Sequence, residues 1–145
     1  MYNKIMVAVD GSEQADKAAL HGAGLAVKLG AELILLHVVP TLPSYASISP
    51  DHLGIVHQDL TKEFLKQGQE ILSRAKDELA LYDINISSEM RVGHPADEIC
   101  KMVVESGCDL LIMGSRGLGE IKGYLMGSVS NRVCRLASCP VLITR

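Results

Sequence analysis

Five short stretches that read as strands, most of them continuous apolar runs, constrain this 145-residue chain more than any other feature. They occupy residues 4–9, 33–39, 84–92, 109–113 and 139–145, and a longer segment with helical spacing separates each from the next. A strand covered on both faces reads as a continuous apolar run, and runs this short are strands rather than helices. Consecutive strands joined through helices must be parallel, because the connection has to cross from one end of the sheet back to the other, and such crossovers are right-handed. The pattern therefore predicts a doubly wound α/β domain, a single unit over residues 1–145, with a five-stranded parallel sheet and helices on both faces. In such sheets ligands collect beyond the carboxyl ends of the strands, where the winding reverses.

The intervening segments carry helix signals of their own. Asp10 or Ser12 can cap the first helix, and Ala15, Ala18, Ala19, Gly22, Ala23 and Ala26 form a stripe of very small residues, so this helix is expected close against the sheet before it ends near Gly30. His37 alone interrupts the second apolar run, which stops at Pro40; residues 40–49 read as a long loop. Ser49 and Pro50 then open a long helix with apolar positions at Leu53, Val56, Leu60, Phe64, Ile71, Ala75 and Leu79. His94 and Pro95 start a third helix, with Asp97 and Glu98 in its dipole-favoured first turn, and Gly107 closes it. A fourth helix is expected over 128–137, and Pro140 sits at the beginning of the last strand, where a missing N–H is tolerated.

The chemistry concentrates after the fourth strand. Glycines 114, 117 and 127 allow close backbone approach to a ligand, and Ser128, Val129 and Ser130 bring helix N-terminal N–H groups beside it. Such a place suits phosphate. The two standard phosphate loops are absent: no window reads GxxxxGK followed by Ser or Thr, and the first turn reads Asp10-Gly11-Ser12 instead of a GxGxxG fingerprint. What stands here is G-x2-G-x9-G-S, from Gly114, Gly117, Gly127 and Ser128.

With that spacing the chain resembles the universal stress protein family, in its ATP-binding branch. The likeness runs through V-D-G-S at Val9 to Ser12, H-V-V at His37 to Val39, G-H-P-A-D-E at Gly93 to Glu98, D-L-L-I-M-G-S-R-G at Asp109 to Gly117, L-M-G-S-V-S at Leu125 to Ser130 and C-P-V-L-I at Cys139 to Ile143. The resemblance implies a Rossmann-like sheet of order 3-2-1-4-5, related to the adenine nucleotide alpha hydrolases, and a homodimer paired through the C-terminal strand, residues 141–145. It also implies a ligand: ATP or another adenine nucleotide, with magnesium. Ala8, Val9 and Asp10 would line the adenosine pocket, with the Asp10 carboxylate near the ribose hydroxyls or a phosphate-bound metal. Val38 would offer backbone contacts to adenine and Gly114 would lie against ribose. Ser115, Arg116, Gly117, Gly127, Ser128, Val129 and Ser130 would complete the site around the phosphates. About three charge-assisted hydrogen bonds and the helix terminus would be worth on the order of 5 kcal/mol before ordering costs.

Composition narrows the partners. The net charge is −3 with both signs interspersed, there is no Trp, and no apolar run approaches the roughly 18 residues of a membrane span, so nucleic acid and membrane are not expected partners. A cytoplasmic location is the expectation in the absence of a signal-peptide pattern. Cys100, Cys108, Cys134 and Cys139 lack CxxC spacing and read as plain buried thiols; His52 and His57, five apart, share no helix face and do not suggest a metal. The methionines read as core fillers. Arg116, Glu120 and Lys122 are the charges of the 115–126 loop, which is expected to be its mobile part, and the two basic ones could screen phosphate. Three functional readings follow: a nucleotide-binding regulatory module, a slow ATPase or phosphotransferase, and a dimeric scaffold independent of nucleotide. Hydrolysis would need a general base, for which the sequence offers Asp10 and Glu120 in no recognisable catalytic arrangement, and no catalytic residue is assigned.

Overall fold

The computed structural model describes residues 1–41, 50–118 and 126–145, with the backbone alone for 50–58. Its elements are β1 (Lys4–Ala8), α1 (Glu13–Leu29), β2 (Glu32–Pro40), α2 (Pro50–Glu78), β3 (Ile86–Gly93), α3 (Pro95–Ser106), β4 (Leu110–Gly114), α4 (Ser128–Leu136) and β5 (Val141–Thr144). The strands pair in parallel in the order β3-β2-β1-β4-β5, as the family resemblance implies. Winding runs outward from β1 to β3 and then returns to the other side of β1. The ends of β1 and β4 therefore lie next to each other at the reversal.

Strand alternation divides the interior into two cores. Ile5, Val7, Leu33, Leu35, Leu110 and Ile112 face α1 and α2, whereas Met6, Ile34, Leu36, Leu111 and Met113 face α3 and α4. Side chains as fully buried as Leu35 and Leu111 each contribute roughly 1.5–3 kcal/mol. On the first face the small-residue stripe does what its composition suggests: Ala15, Ala18, Ala19, Gly22, Ala23 and Ala26 are all buried. A Cβ at Gly22 would lie 2.6 Å from Val7 Cγ2 and 3.3 Å from Leu33 Cδ1, so α1 rests on the sheet at a distance no larger residue permits. The cap of α1 is Ser12, whose hydroxyl accepts the Ala15 N–H at 3.2 Å, and Gly30 ends the helix in the left-handed region at φ 66°.

Several expectations need correction. Leu60, expected on the packing stripe of α2, is 44 % exposed: a 29-residue helix is about 43 Å long and outruns the sheet beneath it. Of the four cysteines Cys108 is buried, Cys100 and Cys139 are half-buried, and Cys134 is exposed on the outer side of α4. Burial, chiefly, pushes the Cys108 thiol up to about 12. His94 stands at the N-cap of α3 but makes no capping hydrogen bond; its Nδ1 lies 3.6 Å from Asp97 Oδ2. Residue 84 falls in a bend, with β3 beginning at Ile86. The loop segment 42–49, the side chains of Leu53 and Val56, and residues 119–125 with Glu120 and Lys122 lie outside the described residues. Among the described residues no helix is long and apolar enough to cross a membrane.

Candidate functional site

At the carboxyl end of β1 the chain turns through Asp10, whose two carboxylate oxygens take different partners. Oδ1 accepts the Ser12 N–H at 2.9 Å, which shapes the turn into α1. Oδ2 accepts the Leu118 N–H at 3.0 Å, which ties the loop after β4 to the end of β1. Gly117 lies directly against this carboxylate, and a Cβ there would overlap Asp10 Oδ2. The second glycine of the motif is thus required by Asp10. The first has its own reason: a Cβ at Gly114 would fall 2.7 Å from Gln14 Cβ, where the first turn of α1 presses on the end of β4.

Ser115 is 1 % exposed and works through its backbone. Its N–H donates to the Thr144 carbonyl of β5 at 2.8 Å, while its carbonyl accepts the Gly127 N–H at 2.7 Å and the Ser130 hydroxyl at 2.8 Å. The backbone of this one residue therefore ties the start of α4 to the end of β5. Gly127 is the N-cap, extended and without a side-chain cap, and the first turn of α4 carries no acidic residue. The first N–H groups of any helix lack a carbonyl partner within it, and the dipole makes this end favourable for an anion. Val129 and Ser130, in that first turn, border the same space as the Asp10 loop.

These pieces surround a cleft of about 420 Å³, a size suited to a small organic ligand. Eleven of the twelve residues expected in the site line it: Ala8, Val9, Asp10, Val38, Gly114, Arg116, Gly117, Gly127, Ser128, Val129 and Ser130. Ser115 does not, because it is the strut behind the wall. The Ser130 hydroxyl is already donated to the Ser115 carbonyl, which leaves its backbone N–H as the group that can meet a ligand. Arg116 lines the cleft with its Nε buried and without a hydrogen-bond partner among the described residues, an uncommon state for a guanidinium nitrogen and one that an anion would relieve.

The sequence did not point to the opposite wall. Phe64, Gln67 and Ile71 of α2 line it, at positions whose spacing cannot tell core from cleft. His37 lines it too: its Nδ1 lies 2.8 Å from the Val9 carbonyl, which only accepts, so Nδ1 carries a proton in this bond. Helix α2 crosses here at Gly68, where a Cβ would come within 2.8 Å of both His37 Cδ2 and Met90 Sδ. Among the described residues no group of three or more His, Cys, Asp or Glu side chains could hold a metal ion unaided.

Comparison with known proteins gives a consistent answer. The model of the universal stress protein family matches residues 1–145. The chain is 38 % identical to universal stress protein YxiE of Bacillus subtilis over 151 aligned positions that span the whole of both proteins. Its fold superposes on that of universal stress protein UspA from Lactobacillus plantarum with a TM-score of 0.87 at 23 % identity, over 99 % of this chain and 98 % of the other. A universal stress protein solved in complex with cAMP is 29 % identical, with a TM-score of 0.73 over 99 % and 97 % of the two chains.

Proposed function

The chain belongs to the universal stress protein family, and from that premise and the geometry of its cleft we propose that it is a regulatory module that binds ATP. The observation that carries this reading is the convergence of the start of α4, which has neither side-chain cap nor acid, with Arg116, whose buried Nε has no partner among the described residues. Both ask for an anion at one spot. The cleft continues over apolar residues at the ends of β1 and β2, where a purine would lie, and a relative of this chain is known with a cyclic adenine nucleotide. Val38 would contact the base, Ala8 to Asp10 the adenosine, and the N–H groups of Val129 and Ser130 with Arg116 the phosphates.

Magnesium fits as a companion of the polyphosphate rather than as a resident of the protein. Asp10 is the carboxylate among the described residues lining the cleft, and magnesium is commonly held by one or two carboxylates together with phosphate oxygens. The same carboxylate already accepts two backbone N–H groups, which suits a residue that holds the loop in shape more than a general base. This favours a nucleotide-dependent switch over rapid hydrolysis. Two copies would pair along β5, an edge strand on which Leu142 is 38 % exposed.

The test is direct. Mass spectrometry and ultraviolet absorbance would identify any nucleotide released on denaturing the purified protein, and calorimetry would follow ATP and AMP with magnesium. Binding near micromolar that disappears in a folded Gly127→Val variant supports the reading. A folded protein that takes no adenine nucleotide would overturn it and favour the nucleotide-independent scaffold.

A further inference from the structure

Beside the cleft lies a second hollow, of about 500 Å³, and the two share Gly127 and Ser128. The second hollow runs on from there over Met126 and Asn131 to Arg132, Arg135 and Leu136. We propose that it receives the far end of a polyphosphate tail, with Arg135 and Arg132 selecting adenine nucleotides of three or more phosphates over monophosphates and cyclic monophosphates. This inference rests on the nucleotide-binding reading of the cleft.

The helix geometry supplies the argument. Residues 128, 132 and 135 stand at i, i+4 and i+7 and so share one face of α4, with Arg135 about 10 Å along the axis from Ser128. Side chains on a helix tilt toward its N-terminus, so both guanidinium groups lean back toward the end where phosphate would collect. No carboxylate is among the described residues lining the hollow. Arg132 Nη2 and Nε do reach Asp97 Oδ1 of α3 at 3.0 and 3.2 Å, which holds that guanidinium at the rim, while Arg135 has no ion pair among the described residues. A single phosphate on a ribose seated at Gly114 would be held at the mouth of the cleft. A longer tail must leave the cleft past Gly127 and Ser128, where the second hollow begins. Planar guanidinium forks match phosphate oxygens in pairs, and here they stand where the tail would arrive.

The experiment is calorimetric titration of the full chain with AMP, ADP, ATP and adenosine tetraphosphate at low ionic strength, each with and without magnesium, for the parent protein and for Arg135→Gln and Arg132→Gln. Circular dichroism would confirm folding, which these exposed positions leave intact. The expected result is affinity that rises from AMP through ATP in the parent. Arg135→Gln weakens ATP about tenfold, equal to about 1.4 kcal/mol, while AMP moves less than twofold. Added salt narrows the gap between ATP and AMP, because both arginines are exposed. Equal affinity for AMP and ATP in the parent, or variants that weaken all four ligands alike or none of them, overturns the tail-reading role and leaves nucleotide binding standing. Failure of every adenine nucleotide to bind the folded parent overturns the nucleotide reading itself.

Discussion

Replacing Gly117 with Ala tests whether Asp10 holds the loop that shapes the cleft. The φ of Gly117 is not positive, so alanine meets no backbone strain there, and among the described residues the new Cβ is obstructed by the Asp10 carboxylate, overlapping Oδ2. The loop must therefore move away from β1, and the Leu118 N–H leaves the carboxylate it now reaches at 3.0 Å. A hydrogen bond to a charged group is worth about 1.5–3 kcal/mol, less where water competes, as at exposed Leu118. If ATP needs the loop in this position, its affinity falls by about tenfold or more, or about 1.4 kcal/mol. Global stability changes by no more than about 1 kcal/mol, because the contact lies outside both cores. The decisive assay is a double-mutant cycle by calorimetry, with Asp10→Ala as the second substitution. In that background the added methyl has nothing to collide with, so Gly117→Ala should add almost no further loss. Losses that simply add, or a Gly117→Ala protein that binds ATP as well as the parent, would refute the role assigned to Asp10.

Other consequences are simpler to check. Leu111→Ala empties a fully buried site at the centre of the second core and should cost about 2–5 kcal/mol in urea denaturation without changing which nucleotides bind. Gly68→Ala should destabilise the protein by about 1–2 kcal/mol and weaken nucleotide binding together, since the added methyl pushes α2 off His37 and Met90; an unchanged melting temperature would count against that packing. Thiol labelling at pH 8 followed by peptide mapping should modify exposed Cys134 first and Cys108 only on unfolding. The Cys108 thiol is raised from about 9 to about 12 in the folded state, so its contribution to stability is complete below pH 9 and is lost as pH climbs toward 12. Cys108→Ala should flatten that part of the pH–stability curve. If two copies pair along β5, light scattering should find a dimer in the parent and a folded monomer in Leu142→Lys, whose residue lies exposed on that edge.

The fold was legible because its signals are local and repeated. Four of the five strands are apolar runs, with β3 at the sheet edge the mixed one, and the small-residue stripe of α1 names in advance the six positions that are buried. The candidate cleft was legible in its backbone parts, since Gly114 and Gly117 mark where chain must approach chain and Gly127 marks where α4 begins. The physical reason behind two of these glycines was not. Gly117 yields to Asp10 and Gly114 to Gln14, partners about a hundred residues away in sequence that parallel pairing of β1 with β4 brings together. Ser115 looked like a ligand contact because it sits inside the motif, and only the bonds to Thr144 and Gly127 reveal a strut. The α2 wall was hidden for a different reason. An amphipathic stripe records that Phe64 and Ile71 avoid water, not whether protein or ligand covers them.

The backbone of Ser115 reaches the last residue of β5 through its N–H and the start of α4 through its carbonyl. Linkage then sets a strict condition on two copies joined along that strand. Whatever factor a nucleotide applies to the affinity of the copies for each other, pairing must apply to the affinity for nucleotide, and two independent titrations have to return the same number. The backbone of one buried residue, Ser115, is the route by which such coupling would pass between strand and helix.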